Sequence, residues 1–493
     1  MIMSNMKTRM GAKSSLLNSI LLLTSLAIVL VLSVLTDSQP VYALPLHTSN
    51  VRAIPAFARK YGLPCSACHT AWPELNNFGQ TFRDNGYQLN NDHDSPIFQD
   101  PGYFPITFRI TPNWHRESIN NQQIDAVPGV PGTSEGGFVN GRVTQHGFDL
   151  SGFDMWATGT LYKNISFSIL PSADSSGAFH FENAFIRFDN LKGSRWLNLR
   201  LGKFELDNMI SEKRFLFLSS NGGSYQSYHF VPAGEAFNAF GLGDNQLGAE
   251  LAGHSVNSYT RYSVALLSNN DGNSGLPASR GYDTYLTFSQ ALQVGKVGLQ
   301  RFGGYAYIGQ RPTVSLTSAA IAGTTPGSTT VIPGAGYGNK SFYRVGFSGD
   351  LNIGKLEVLP FYLHGYESVF LGTNTPANQP QLLPEGAMAP TWNAGFVETH
   401  LHLSPQFVFT NRVEMIRMSR QADPNTPLTT GNIDAYSVGY RWYPIMFSRA
   451  GVAFHNEYSI VKTQGAGVGA NPLSDPPTAT WSNSILAGFD IAF

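Results

Sequence analysis

The chain has 493 residues, enough for two or three ordinary domains or for one large closed sheet. Charged residues make up only 13% of it, aromatic residues make up 12%, and the 32 basic and 33 acidic residues leave a net charge of −1. This balance excludes a strongly basic nucleic-acid-binding protein, and the charged fraction is about half of that in an average soluble domain.

The first 43 residues predict a secretory signal peptide. Three basic residues precede an apolar run from Leu16 to Leu35, and the small residue Ala43 is placed for signal peptidase. We expect the mature chain to begin near Leu44. An uncleaved membrane anchor is the alternative, because the apolar run is long for a signal.

The next region, residues 44–100, contains both cysteines of the chain. Cys65, Cys68 and His69 form the pattern Cys-x-x-Cys-His, which is the attachment pattern of c-type haem. Two thiols at this spacing can form thioethers to one haem, and the adjacent histidine is carried under the iron. We therefore predict one covalent haem c, attached to Cys65 and Cys68, with His69 as an axial ligand of the iron.

Three other uses of the two cysteines are open. A zinc site would need further ligands from distant histidines or carboxylates, because the chain has no third cysteine. A thioredoxin-like site would follow a strand in a βαβ unit, and the sequence shows no such unit. A disulfide between Cys65 and Cys68 would close so short a loop that it would stabilise the fold little.

The third region, residues 101–493, alternates apolar and polar residues with the period of a β-strand. In its first strand, Ile106 and Phe108 share one face, while Thr107 and Arg109 share the other. The mean hydropathy is only −0.12, and no apolar run after residue 35 is long enough for a spanning helix. These features predict an all-β transmembrane barrel of about sixteen antiparallel strands. A large secreted β-sandwich or β-helix is the alternative.

Similar alternation recurs to the end of the chain. Ser437 and Arg441 oppose a face of Tyr and Val residues, and Glu398, His400 and His402 oppose a face of Val and Leu. Turns are predicted at "DNLKGS" and "LNIGK", and long loops at 309–340, 367–391 and 464–480. The final strand alternates up to Phe493, and a terminal aromatic of this kind resembles the signal that bacterial barrel-assembly machinery reads.

Residues 53–89, around the cysteine motif, resemble the cytochrome segment of fused monohaem cytochrome–porins. These are outer-membrane proteins whose best-known members are implicated in iron(II) oxidation. The matching residues are Pro55, Phe57, Ala58, Arg59, Gly62, Cys65, Cys68, His69, Pro73, Leu75, Phe78, Gly79, Phe82, Gly86 and Tyr87. Lys60 and Tyr61 stand where the iron oxidisers carry Gln-Thr. The resemblance therefore supports the prediction of a haem more strongly than it supports iron(II) as the electron donor.

A segment this short cannot bury a haem alone, so we expect it to plug the barrel lumen, with helices in "IPAFARKYG" and "WPELNNFGQTFRDNGY". The sixth iron ligand is open: no methionine lies between residues 44 and 103. His47 and His93 are the candidates within the segment, with His115 and Met209 further along the chain. The predicted haem pocket consists of Pro55, Phe57, Arg59, Phe78, Phe82 and Tyr87, and Arg59 or Arg83 would pair with the propionates.

These features predict an electron-transfer protein, with iron(II) oxidase activity left open, in the outer membrane of a Gram-negative bacterium. A donor outside the cell, best dissolved iron(II), would reduce the haem near the extracellular rim. The electron would pass to a periplasmic carrier, a soluble cytochrome or a copper protein. Lumen-facing carboxylates such as Glu182, Glu398 and Glu414 would steer the cation.

Three other functions are open. The barrel could be a diffusion porin whose pore is plugged or gated by the haem segment. It could be one component of a conduit to minerals or partner cells. The third alternative is a soluble periplasmic cytochrome with a β-rich partner domain.

Overall fold

The computed structural model describes a barrel and a short segment that precedes it. The described residues are 56–89, 106–132, 136–173, 177–212, 216–230, 241–268, 281–311, 315–317, 331–333, 340–367, 391–420, 432–446, 450–465 and 478–493. The predicted signal peptide, residues 1–43, lies outside them. No helix among these residues is long and apolar enough to cross a membrane.

Sixteen antiparallel strands close into one barrel, in which each strand pairs with the next barrel strand along the chain and the last barrel strand pairs with the first. The predicted number of strands is confirmed. The barrel strands are β3 Ile106–Asp125, β4 Phe138–Tyr162, β5 Ile165–Ala173, β6 Phe179–Phe188, β7 Asn198–Glu205, β8 Asn245–His254, β9 Thr260–Ser268, β10 Tyr282–Val294, β11 Gly298–Arg311, β14 Lys340–Ile353, β15 Leu356–Glu367, β16 Thr391–Ser404, β17 Phe407–Arg420, β18 Asn432–Met446, β19 Gly451–Gly465 and β20 Thr478–Ala492.

The barrel has an apolar outer surface and a polar interior. On β18, Ser437 and Arg441 face inward and are buried, while Trp442 is exposed on the outside. Exposed aromatic residues recur around the outer wall, as at Phe302 and Phe347, which are 52% and 57% exposed. A closed sheet with this outer surface is suited to lipid, and an even strand number is typical of bacterial outer-membrane barrels. The chain is therefore an outer-membrane β-barrel of the Gram-negative type.

Connections between barrel strands are short at one end and long at the other. Residues 295–297 and 354–355 join strands at the first end, which we call the short-turn end. Residues 206–244 and 368–390 join strands at the opposite, long-loop end. In outer-membrane barrels short turns face the periplasm and long loops face outward. The three predicted loops fall between described strand ends, and most of their residues lie outside the described part of the chain; the first also contains the small hairpin β12 Ser315–Thr317 and β13 Val331–Pro333.

The connection between β7 and β8 folds inward, and its described part (206–212, 216–230 and 241–244) is called here the inner loop. It contains the one-turn helix α4, Gln226–His229. The Glu414 carboxylate accepts hydrogen bonds from the amides of Gln226 and Ser227 at 3.0 and 2.7 Å. Tyr225 stacks on Phe396 with ring centroids 4.3 Å apart. The inner loop is therefore bound to the inner wall formed by β16 and β17.

Residues 56–89, called here the N-terminal segment, contain three short helices and a small hairpin. The elements are α1 Ala56–Tyr61, α2 Cys65–Cys68, β1 His69–Ala71, β2 Glu74–Leu75 and α3 Asn77–Asp84. The first predicted helix is confirmed. The second was predicted too long: Trp72 and Pro73 form a turn between β1 and β2, and α3 begins only after Asn76, whose side chain caps it.

The N-terminal segment is tied to inward-facing side chains of the barrel by paired charges. Arg261 of β9 donates to both carboxylate oxygens of Asp84 at 2.8 and 3.1 Å. Arg187 of β6 donates to the backbone oxygen of Arg83 at 2.8 Å. Although burial alone would raise it, Arg261 and Arg83 hold the pKa of Asp84 well below its usual range. Asp84 is therefore a fixed anion, and its pairing stabilises the position of the segment.

Further contacts put the N-terminal segment at the short-turn end. Gln88 donates to the Lys163 backbone oxygen at 2.8 Å and Asn77 to the Asn257 oxygen at 3.2 Å, and both acceptors lie in short connections. The Trp72 backbone oxygen accepts from the Tyr443 hydroxyl at 2.7 Å, near the end of β18. The expected position near the extracellular rim is therefore wrong for the described residues, because the polar partners of the segment are at the other end.

Barrel stability depends on Asp490, which is fully buried between two arginines. Arg109 donates to both of its oxygens at 2.8 Å, and Arg441 donates to Oδ2 at 3.0 Å. We predict that Asp490→Ala lowers the free energy of unfolding by about 3 kcal/mol, because two buried guanidinium groups lose their partner. Denaturant unfolding in detergent measures this loss.

The control is Asp434→Ala. Asp434 of β18 pairs with Arg417 of the neighbouring β17, and their side chains are 32% and 44% exposed. Loss of such a pair costs less than about 1 kcal/mol. Equal losses in the two variants would contradict the assigned role of the buried network.

Candidate functional site

The cysteine motif forms one turn of helix followed by an extended residue. α2 spans Cys65–Cys68, so the two thiols, three residues apart, lie on one side of the turn. His69 leaves the helix with φ −122° and ψ 135°. The two cysteines are not joined in a disulfide, and burial, aided by the neighbouring Cys65, raises the pKa of Cys68 to about 11. The motif therefore presents two thiols and an adjacent imidazole.

Two backbone carbonyls orient the His69 ring. Its Nδ1 lies 3.2 Å from the oxygen of Pro73 and 3.1 Å from the oxygen of Glu74. Carbonyl oxygens only accept hydrogen bonds, so Nδ1 carries the proton and the lone pair of Nε2 is left for a metal ion. Burial lowers the pKa of the ring to about 4, and the two hydrogen bonds offset only part of this shift. His69 is therefore neutral at physiological pH, as an iron ligand has to be.

An apolar cavity of about 200 Å³ lies against the two thiols and His69. Its aromatic wall is ordered: Phe57 stacks on Tyr87 at 5.4 Å between ring centroids and meets the edge of Phe82 at 4.9 Å. The remaining lining residues are Tyr61, Leu63, Pro64, Leu75, Gly79 and Arg83.

This cavity alone is smaller than most cofactor sites, which occupy about 300–1,000 Å³. It shares five lining residues, His69 among them, with a cavity of about 730 Å³ that reaches the inner loop. Two thiols outside a disulfide, a neutral imidazole with a fixed tautomer and an apolar wall are what a covalently attached haem requires. The residues present fit this group.

Close packing between α2 and α3 fixes the motif. Asn76 caps α3 by accepting from the Gly79 amide at 3.0 Å, and its Nδ2 donates to the Ala67 oxygen at 3.0 Å. A Cβ atom on Gly79 would lie 2.2 Å from the Cys68 backbone oxygen. Glycine is therefore required at this position, because any side chain would separate the two helices.

Several predicted pocket residues line this cavity and others do not. Phe57, Phe82 and Tyr87 line it together with the motif. Phe78 does not: it is 44% exposed, because the helix directs residues 79, 82 and 83 toward the cavity and turns residue 78 aside. Pro55 and the side chain of Arg59 lie outside the described residues. That these residues contact a haem stays a prediction.

The sixth iron ligand is not identified by the described residues. Among those that line the small cavity there is no methionine and no second histidine. His115 instead contacts Asp149 and Ser220, and Met209 lines a different cavity. His47 and His93 lie outside the described part of the chain.

Sequence reasoning missed Leu63, Leu75 and Gly79 as cavity residues. Neither leucine belongs to a periodic apolar pattern in the sequence. Their direction toward the cavity results from the turns on either side of α2. Gly79 carried a usable signal, because glycine inside a helix is unfavourable unless close packing requires it. Tyr61, noted earlier only as a difference from the iron oxidisers, also lines the cavity.

The three predicted lumen carboxylates have separate surroundings. Glu182 lines the larger cavity and accepts from Asn245 at 3.1 Å. Glu398 is fully buried and lies 2.7 Å from His400 Nε2. Glu414 binds the amides of the inner loop. Only Glu182 is thus placed to meet a solute in the larger cavity.

We predict that Gly79→Ala loosens the N-terminal segment while leaving the barrel closed. Overpacking between α2 and α3 should lower the free energy of local unfolding of this segment by about 2 kcal/mol. This corresponds to roughly 30-fold faster proteolysis within residues 56–89. Mass spectrometry of the fragments locates the cleavage, and heat-dependent gel mobility reports the barrel. Ser66→Ala is the control, because the Ser66 side chain is exposed on α2. Equal cleavage of both variants would contradict the role of Gly79.

No protein-family model matches the chain, and no curated protein matches its sequence. Several solved outer-membrane proteins are similar in structure. The DcaP channel of Acinetobacter baumannii gives a TM-score of 0.44 at 8% identity, covering 78% of this chain and 96% of that one. The anion-selective porin of Comamonas acidovorans gives 0.45 at 9%, covering 79% and 99%. OmpF of Salmonella typhi gives 0.42 at 9%, covering 81% and 99%. Similarity at this level adds nothing to the barrel that the strand pairing itself establishes.

Proposed function

We propose that this protein transfers single electrons across the outer membrane. In this proposal one haem c is attached to Cys65 and Cys68 with His69 as ligand, and the N-terminal segment that carries it plugs the short-turn end of the barrel. The observation that carries the proposal is the His69 ring, whose Nδ1 is held by two backbone carbonyls beside the Cys65 and Cys68 thiols and an apolar cavity.

The bound haem would supply a one-electron acceptor inside the barrel. The protein residues would orient the iron ligand and form the wall of the cavity. The carbonyls of Pro73 and Glu74 fix the ring plane and raise the basicity of Nε2. Phe57, Phe82 and Tyr87 keep water from the small cavity, which favours the less charged state of a bound metal.

The position of the segment suggests how electrons enter and leave. At the short-turn end, the motif lies on the side from which a periplasmic carrier, a soluble cytochrome or a copper protein, would approach. A donor from outside has to come down the interior toward the cavity of about 730 Å³ between the inner loop and the N-terminal segment. A solid mineral cannot follow this route, so a small dissolved donor is favoured. This revises the expectation that the donor reduces the haem near the extracellular rim.

The charge of the larger cavity agrees with a cationic donor such as iron(II). Five carboxylates line it, against three arginines and His229. Although burial alone would lower it, hydrogen bonds to Asp244 and Glu212 raise the pKa of His229 to about 10, so this histidine counts as a cation. The lining is still net negative, and such a field attracts cations over anions.

A diffusion porin gated by the N-terminal segment is the second candidate. It is favoured by the closed sixteen-strand barrel and by the size of the larger cavity. This function requires an open path for ions and no electron transfer from a donor. A component of a conduit to minerals or partner cells would in addition need a partner at the long-loop end.

The test is the visible spectrum of the purified full-length protein from cells that mature c-type cytochromes, recorded before and after anaerobic addition of iron(II). We expect a covalent haem that changes from oxidised to reduced. A haem that iron(II) leaves oxidised while dithionite reduces it would reject iron(II) as the donor. Absence of haem would reject the electron-transfer proposal.

The matched control is the double variant Cys65→Ala with Cys68→Ala. We expect complete loss of covalent haem and of iron(II)-dependent spectral change, with unchanged heat-dependent gel mobility of the barrel, because the strand pairing that closes the barrel does not include residues 65 and 68. In planar bilayers, steady ion conductance by the haem-bearing protein would favour the gated porin. Conductance only after removal of residues 56–89 would agree with a plug.

A further inference from the structure

A second cluster of ligand-type side chains joins the N-terminal segment to the barrel wall. Glu74 comes from β2, while Glu357 of β15 and His400 of β16 are direct partners across two neighbouring strands. One ligand atom from each lies within 4.8 Å of the other two. His400 Nδ1 is 2.9 Å from Glu357 Oε2 and 3.0 Å from Glu74 Oε2. The two carboxylates therefore converge on one ring nitrogen.

A histidine proton cannot satisfy this arrangement. The single hydrogen on Nδ1 serves one carboxylate, and Glu74 Oε2 is buried without a hydrogen bond from the described residues. His402 Nε2, 3.8 Å from Glu357 Oε2, is likewise buried without a hydrogen bond from the described part of the chain. Two orphaned polar atoms thus flank Glu357, and a buried polar atom without a partner is costly. A ligand between these side chains would satisfy both.

The local charge calls for a cation. Three carboxylates surround His400, because Glu398 Oε1 lies 2.7 Å from Nε2. Arg412 pairs with Glu398 at 3.4 Å, and Arg261 in the same region is already paired with Asp84 and Asp207. Even if His400 is protonated, its single positive charge faces the two negative charges of Glu74 and Glu357.

Distances and access suit a metal ion. Ligands about 2.1 Å from an octahedral metal lie about 3 Å from one another, close to the separations between His400 Nδ1 and the two carboxylates. All three side chains line a cavity of about 400 Å³, which provides the remaining coordination positions with room for water. Mixed imidazole and carboxylate ligands select manganese, iron or zinc over calcium and magnesium.

We propose that Glu74, Glu357 and His400 bind one divalent first-row transition-metal ion, which links the N-terminal segment to the barrel wall. The site depends neither on a haem nor on electron transfer. It does adjoin the cysteine motif, because the Glu74 backbone oxygen accepts from His69 Nδ1 while its side chain enters the metal site. An ion here would fix the position of one of the two carbonyls that orient His69.

The test is manganese binding by the metal-stripped full-length protein, followed by the electron paramagnetic resonance signal of free Mn²⁺. Manganese is chosen because it binds thiols weakly and does not depend on the state of Cys65 and Cys68. We expect one ion per chain and at least tenfold weaker binding in Glu357→Gln and in Glu74→Gln. Bound ion should also slow proteolysis within residues 56–89.

Glu117→Gln is the matched control, since Glu117 is a carboxylate on β3 bonded to Gln145 rather than to the cluster. It should bind manganese like the unaltered protein. Glu74→Gln alters the N-terminal segment and not the wall, so it tests the site even if Glu357→Gln fails to fold. No binding by the unaltered protein, or equal binding by all folded variants, would overturn the proposal and leave a hydrogen-bonded charge network.

Discussion

Closure of the sheet is the constraint on which the rest of the structure depends. The hydrocarbon layer offers no hydrogen-bond partner, so every backbone group that crosses it has to be paired within the sheet. The last strand meets the first for this reason: the amides and carbonyls of Phe108 and Phe493 exchange hydrogen bonds of 2.8 and 2.9 Å. Sixteen strands then fix a circumference, and a barrel of that size encloses more space than its own side chains fill.

Buried charged side chains hold in place the parts of the chain that occupy this interior space. Arginines on the inner wall, such as Arg261, Arg412 and Arg441, would be unfavourable if left unpaired away from bulk water. They bind carboxylates and backbone oxygens of the inner loop and of the N-terminal segment. These wall arginines thus donate to acceptors on both inserted parts. Their contacts position both parts, so the candidate site is held by charges that lie outside it.

Features with a local cause were predictable from the sequence. Alternation of side chains required Ser437 and Arg441 to face inward, and the lack of periodicity identified the long connections, because both depend only on neighbours along the chain. The cysteine motif was likewise local, since one helical turn aligns Cys65 with Cys68. Features that arise from docking were not predictable. Which end of the barrel receives the N-terminal segment depends on distant partners such as Tyr443, and the meeting of Glu74 with His400 needs both strand register and docking.

Burial of the thiols has a consequence for the order in which the protein is made. Cys65 is almost fully buried, α3 covers the backbone of Cys68 through Gly79, and Asp84 and Trp72 bind the surrounding wall. An enzyme that attaches haem needs both thiols and both vinyl groups within reach, which the closed barrel does not allow. For the haem c of the proposed function, attachment would therefore have to precede closure of the barrel around the thiols. Attachment and insertion into the membrane would then be consecutive steps, and a chain that folded too early would be closed to the haem.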